Sequence, residues 1–217
     1  MGAPKRRSPV KFLLFLAGAL AILVIAFTVA ACAGLGLTRG QYEGPEYEVL
    51  EGSDKAAGVE IRKYQPYTVA STGSADVEGE KKARDGGFMT LFRYIDGGNE
   101  ADQKIAMTSP VFMKGDAVDG IMSFVVPAEV AESGTPKPKS EAVRIESVPG
   151  GTFAVLRFKG SRSNESAAKA LEKLHDWLVE EKRSPIEGSA PTFAYYDPPW
   201  VPEAFRRNEV LVPLATD

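Results

Sequence analysis

The chain has 217 residues, of which 44% are apolar and 25% charged, with a formal net charge of −3. These proportions exclude collagen, coiled coil and disorder as descriptions of the whole chain, and the length allows one domain with an appendage or two small domains. The acidic balance speaks against nucleic-acid binding. A single cysteine rules out a disulfide framework or a Cys-rich zinc site, and a single histidine rules out any mechanism that needs two.

Charge is distributed unevenly along the chain. Residues 1–11 contain Lys5, Arg6, Arg7 and Lys11 and no acid, and residues 12–37 contain no charge at all. As a helix, the uncharged stretch would run to about 39 Å, longer than a hydrocarbon core of about 30 Å. Without the four basic residues the net charge of −3 becomes −7, so a membrane-targeting segment (1–37) precedes an acidic body. Two readings of that segment stand open: a signal anchor held by its cytoplasmic positive charges, and a cleaved signal peptide. Val29-Ala30-Ala31-Cys32 resembles the bacterial lipobox, which makes Cys32 a lipidation candidate; the same residue also reads as a small apolar member of a membrane helix. Every version expects the body at the cell membrane on the extracytoplasmic side, periplasmic or extracellular.

Residues 38–46 read as a linker and 47–217 as the domain. Tyr47 to Leu50 alternates briefly, and Gly52 to Gly58 reads as a turn. Val59 to Tyr64 and Tyr67 to Thr72 alternate as half-buried strands on either side of Gln65-Pro66. Phe88, Leu91, Phe92 and Ile95 fall on one helical face, which Gly97-Gly98 ends. Lys104 to Met113 and Met122 to Val126 read as strands, and 131–141 as a Pro-containing loop. The order then repeats: Val143 to Glu146, the Pro149-Gly150-Gly151 turn, Phe153 to Phe158, a helix with Ala167, Leu171, Leu174 and Leu178 on one face, Phe193 to Tyr196, and Glu209 to Val212. A hairpin–helix–strand–strand unit occurring twice predicts an α+β domain. Pro66, Pro110 and Pro199 bend the strands toward a distorted antiparallel β-barrel flanked by two helices.

The residues carry no recognisable catalytic constellation. His175 reads as a boundary histidine of the second helix or as an axial ligand to haem iron. Met89, Met107, Met113 and Met122 read as core fillers or as the lining of an adaptable apolar pocket, with Met107 or Met113 able to ligate iron. Tyr64, Tyr67, Tyr94, Tyr195 and Tyr196 read as core aromatics, since tyrosinate ligation is rare. Arg62, Arg93 and Lys104 read as solvated or as partners for an anionic ligand. An enzymatic role would need an acid or base such as Glu60 or Glu209, and the sequence offers no partner for either.

Four segments resemble the SOUL haem-binding protein family: Val59 to Ala70 (VEIRKYQPYTVA), Phe88 to Asn99, Lys104 to Val111 (KIAMTSPV) and Arg206 to Val210 (RRNEV). Their order and spacing hold from Tyr47 to Leu214. The resemblance implies a distorted barrel with two helices, similar to the effector-binding domains of multidrug-responsive regulators. It also implies non-covalent binding of haem or a related porphyrin in an apolar groove beside the first helix. Carried onto this sequence, the groove comprises Phe88, Leu91, Phe92, Tyr94, Ile95 and Met107, with Arg93 and Lys104 near the propionates. His175 does not match the family's proposed axial histidine. The expected protein is thus a non-enzymatic tetrapyrrole binder, attached to a membrane through residues 12–37. A binding module for another flat amphipathic ligand and a tetrapyrrole-degrading enzyme are the alternatives.

Overall fold

The computed structural model describes residues 42–52, 58–73 and 80–215. The 12–37 stretch and Cys32 lie outside the described residues, among which no helix is long and apolar enough to cross a membrane. The described unit begins at Tyr42. Nine strands form one antiparallel sheet: β1 (Tyr47–Gly52), β2 (Val59–Tyr64), β3 (Tyr67–Thr72), β4 (Val111–Lys114), β5 (Ile121–Val125), β6 (Arg144–Val148), β7 (Gly151–Phe158), β8 (Thr192–Tyr195) and β9 (Asn208–Pro213). Their order is β1-β2-β7-β9-β8-β4-β5-β3-β6. Exchanging β2, β3, β4 and β5 with β6, β7, β8 and β9 returns the same order, read from the other end.

The helices are α1 (Glu80–Ile95), α2 (Ala128–Gly134) and α3 (Asn164–Glu180). Ser163 caps α3 by accepting a hydrogen bond from the Ser166 amide, which satisfies one of the donors a helix start leaves open. Ala167, Ala170, Leu174 and Leu178 recur every three or four residues and are buried, as a helix lying on a sheet requires. Leu91, Tyr94 and Ile95 do the same for α1. They join Val59, Ile61, Met113, Phe124, Leu156 and Val210 in the larger core, which lies between the helices and the sheet.

The opposite face of the sheet is buried too. Tyr64, Phe112, Val125, Val155, Ala194 and Leu211 form a second core with Tyr67, Phe153 and Tyr196 packed against it. None of the described helices contributes to this second core, so curvature of the sheet is what buries it. Tyr67 and Phe112 belong to strands separated by β5, about 10 Å apart in a flat sheet, yet their ring centroids are 6.1 Å apart. The sheet is therefore curled into a half-barrel around this second core.

Lys104 to Met113 is not one strand. Only Val111–Lys114 belongs to the sheet, because the preceding stretch bonds elsewhere: Ile105 N–H donates to the Ile95 carbonyl at the end of α1, and Ser109 N–H donates to the Glu43 carbonyl. Part of the 131–141 loop belongs to α2, so the described residues form three α-helices rather than two. Pro127 precedes a run of helix formers there, and Gly134 ends it. Residues 42–46, read as linker, are tied down as well: Glu43 bridges Thr108, and its carboxylate accepts from the Ala128 amide.

Strands β2 and β3 are two parts of one run bent at Gln65-Pro66, and β6 and β7 are two parts of another bent at Pro149-Gly150. Because β2 pairs with β7 and β3 with β6, the runs cross at their bends. Gly150 sits at the crossing with φ +75°, and a Cβ there would lie 2.5 Å from the Tyr64 carbonyl oxygen. Gly150→Ala is expected to lower the unfolding free energy by about 3 kcal/mol, combining left-handed strain with a backbone clash. Urea denaturation measures this, and an unchanged midpoint would mean that the crossing relaxes freely.

Candidate functional site

The structure divides the residues expected at the first helix into two groups. Leu91, Tyr94 and Ile95 are at most 7% exposed and face the core. The Tyr94 hydroxyl donates to the Pro136 carbonyl at 2.8 Å, and burial pushes its pKa up to about 12. These three fasten α1 to the sheet. Phe88 and Phe92 are half-buried one turn apart, with rings stacked at 6.3 Å, and Phe88 also meets Phe124 edge-on at 5.3 Å. Met89 and Met107 are exposed, at 41% and 46%. Arg93 is exposed, and Lys104 Nζ lies 3.0 Å from an Asp96 carboxylate oxygen, both in solvent.

The loop after α1 is built around Asn99. Its buried side-chain amide donates to the carbonyls of Tyr94 and Gln103 and accepts from the Gln103 amide. This fixes the approach to Lys104, Ile105 and Met107. Met113 and Met122 belong to the core, with Met113 Sδ accepting from Arg162 at 3.2 Å. His175 lies exposed on α3. Among the described residues no group of three or more His, Cys, Asp or Glu side chains could hold a metal ion.

A second constellation lies inside the curl. Glu60, Arg62 and Tyr64 alternate along the inner face of β2. Arg62 is fully buried and donates to both oxygens of Glu209 on β9, at 2.9 and 2.8 Å, reaching over β7. It also donates to Glu60 at 2.8 Å and to the Tyr64 hydroxyl at 3.1 Å. Arg157 adds ion pairs to Glu60 (2.9 Å) and Glu209 (3.3 Å). The Tyr196 hydroxyl donates to Glu209 at 2.7 Å, and the Tyr47 ring lies 4.5 Å from the Arg62 guanidinium carbon. Burial opposes ionisation of Glu209, but the hydrogen bonds and charge of Arg62, with those of Tyr196 and Arg157, outweigh it and hold the carboxyl below its ordinary range. Burial first, and then the Glu209 charge, raises the Tyr196 phenol well above its usual value.

Glu60 and Glu209 thus have the partners that the sequence did not reveal. Two acids and two arginines neutralise one another, an arrangement that stabilises a buried pair and leaves neither carboxylate as a free base. The signal was present in the sequence as the Glu60-Arg62-Tyr64 alternation, which reads as a solvated strand face until the curl is known.

The family model described as SOUL haem-binding protein matches residues 42–213. The chain belongs to the SOUL haem-binding protein family. A search of curated protein sequences finds no match. Among solved structures, a hydrolase from Listeria innocua is similar over 73% of this chain and 92% of its own, at 12% identity and a TM-score of 0.50. An uncharacterised conserved protein from Listeria innocua is similar over 73% and 93%, at 12% identity and a TM-score of 0.51. EcmrR in its complex with DNA is similar over 98% of this chain and 74% of its own, at 12% identity and a TM-score of 0.53. At such identities the likeness is one of fold.

For a SOUL-family chain, the residues beside α1 suit the faces of a macrocycle better than its metal. Phe88, Phe92, Met89 and Met107 present ring and thioether surface, and Arg93 and Lys104 are exposed cations. His175, the single histidine, is on α3 and not in that region.

The inner cluster makes its own prediction. Glu209→Gln takes from the fully buried Arg62 its two-pronged carboxylate partner and leaves it Glu60 alone, and is expected to cost about 3 kcal/mol at pH 7. Because the folded pKa of Glu209 is lowered from 4.5, its contribution is complete above that pH and is lost as pH falls through the folded value. The wild-type unfolding free energy should therefore fall more steeply below about pH 4.5 than that of Glu209→Gln, as read by denaturant titrations across the acid range. Parallel curves would remove Glu209 from the acid response.

Proposed function

We propose that this protein binds haem or a related tetrapyrrole non-covalently on the apolar surface beside α1. The family match over residues 42–213 carries the reading. The partly open aromatic pair Phe88–Phe92 and the exposed Met89 and Met107 support the location. Covering about 200 Å² of macrocycle contributes roughly 5 kcal/mol at 25 cal/mol per Å². The exposed Lys104–Asp96 pair is worth little, so Lys104 can turn to a propionate at small cost. When bound, haem supplies the iron and its chromophore; the chain supplies the apolar bed, the flanking cations and a thioether at Met107. The role is binding or buffering rather than catalysis.

We also propose that residues 12–37 hold the chain in a membrane, with the described domain on the extracytoplasmic side. The Cys32 alternative is tested by metabolic labelling with palmitate. A signal anchor predicts no label in the wild type or in Cys32→Ser, and a lipoprotein predicts label that the substitution abolishes.

The binding reading is tested by absorbance titration of the full chain with haemin and protoporphyrin. A Soret shift is expected. Met107→Ala, at an exposed position where folding is little affected, should raise the haemin Kd about tenfold, the equivalent of roughly 1.4 kcal/mol of lost contact. No spectral change in the wild type would overturn the tetrapyrrole reading. A wild-type shift with an unchanged Kd for Met107→Ala would remove the site from this face.

A further inference from the structure

We infer that the loop joining β8 to β9, residues 196–207, is a membrane-interface contact that lays Trp200 and Phe205 into the headgroup region of a bilayer. The inference rests on the membrane tether proposed above. Trp200 is 82% exposed and Phe205 59% exposed, although both sit on a loop that is otherwise held firmly in place. Val201 between them is buried, and its amide donates to the Pro198 carbonyl. Arg206 donates to the carbonyls of Val201 at 2.8 Å and Pro199 at 2.6 Å. Gly160 N–H donates to the Glu203 carbonyl, and Pro198, Pro199 and Pro202 stiffen the chain further. A floppy loop would expose aromatic rings by default; this one presents them from a fixed frame. Its charges are largely matched locally, Arg207 with Asp197 at 3.3 Å and Arg206 with Glu203 at 3.8 Å. The tip is therefore close to neutral, as approach to a bilayer requires. Trp is the side chain best suited to that boundary, with an apolar body and one N–H donor.

The occupant follows from where the chain enters the domain. Tyr195 pairs with Val111, so the loop leaves the sheet at the end where β4 begins. Two residues before Val111, Ser109 bonds to Glu43, and Glu43 runs parallel to Thr108. Traced backward through Glu43 to Tyr42, the chain thus leaves the sheet at that same end. Four residues, Thr38 to Gln41, separate Tyr42 from the uncharged stretch that ends at Leu37. Even fully extended, this connection spans only about 17 Å. A tether this short turns a weak contact into an intramolecular one, so two aromatic side chains are enough to orient the domain.

The test places the full chain in phosphatidylcholine vesicles, with and without bromine on the acyl chains near the glycerol. The emission lost in Trp200→Ser relative to wild type isolates Trp200, since Trp177 is the only other tryptophan. That component should be quenched several-fold in the brominated vesicles, and Phe205→Ser should reduce the quenching. Equal emission in both vesicle types overturns the proposal. Alkaline extraction of the same vesicles reads the tether separately. Retained protein with unquenched Trp200 sinks the loop contact alone. Extracted protein with quenched Trp200 sinks the tether and keeps the contact. Extracted, unquenched protein sinks both.

Discussion

The Arg62–Glu209 pair is the interaction on which the curled sheet depends. A sheet with helices on one face ordinarily gives its other face to water. Here that face folds in on itself, and charged side chains in the middle of it must be paired or expelled. Arg62 reaches over β7 to Glu209, so the pair links β2 to β9, while Tyr64, Tyr196 and Glu60 take up the remaining donors and acceptors. The aromatic contacts Tyr47–Tyr64 and Tyr64–Phe153, at 5.0 and 5.5 Å, continue the packing from the same strand. Removing one member leaves a buried charge with only its weaker partners, Glu60 for Arg62, or Arg157 and Tyr196 for Glu209.

This arrangement explains which parts of the molecule were legible in the sequence. Strands β2 and β3 were readable because alternation and Pro66 mark them locally. Helix α3 was readable because Ala167, Leu174 and Leu178 recur at helical spacing. The irregular path from Lys104 to Pro110 was not, because its apolar alternation resembles a strand, whereas its hydrogen bonds go to the end of α1 and to Glu43, far away in sequence. Helix α2 is short and has no buried residues of its own, so no periodic stripe announced it. The inner ion cluster was hidden for a related reason. A period of two assigns residues to faces but does not say whether a face is wet.

Two jobs are divided within the α1 motif. Spacing places Phe88, Leu91, Phe92, Tyr94 and Ile95 on one broad helical face. Packing then assigns Leu91, Tyr94 and Ile95 to the core and leaves Phe88 and Phe92 at its margin. A family motif therefore mixes residues kept for attachment with residues that can meet a ligand. Substituting Leu91 or Tyr94 would test the fold, whereas Met107, exposed on a segment anchored by Asn99 and Ile105, can be replaced without disturbing the core.

The inner cluster also bears on which face a ligand would use. An electroneutral, mutually bonded set of four charges offers no unmatched carboxylate to a cation and no spare guanidinium to an anion. A ligand entering the curl would have to displace Tyr47 or Arg157 and break ion pairs before making any of its own. The surface beside α1 imposes no such cost. Its aromatic and thioether groups already meet solvent, so covering them gains apolar burial, and the ion pair Lys104–Asp96 is already in water. The energetic asymmetry between a self-paired polar interior and an open apolar margin supports the proposed site on the outside of the half-barrel.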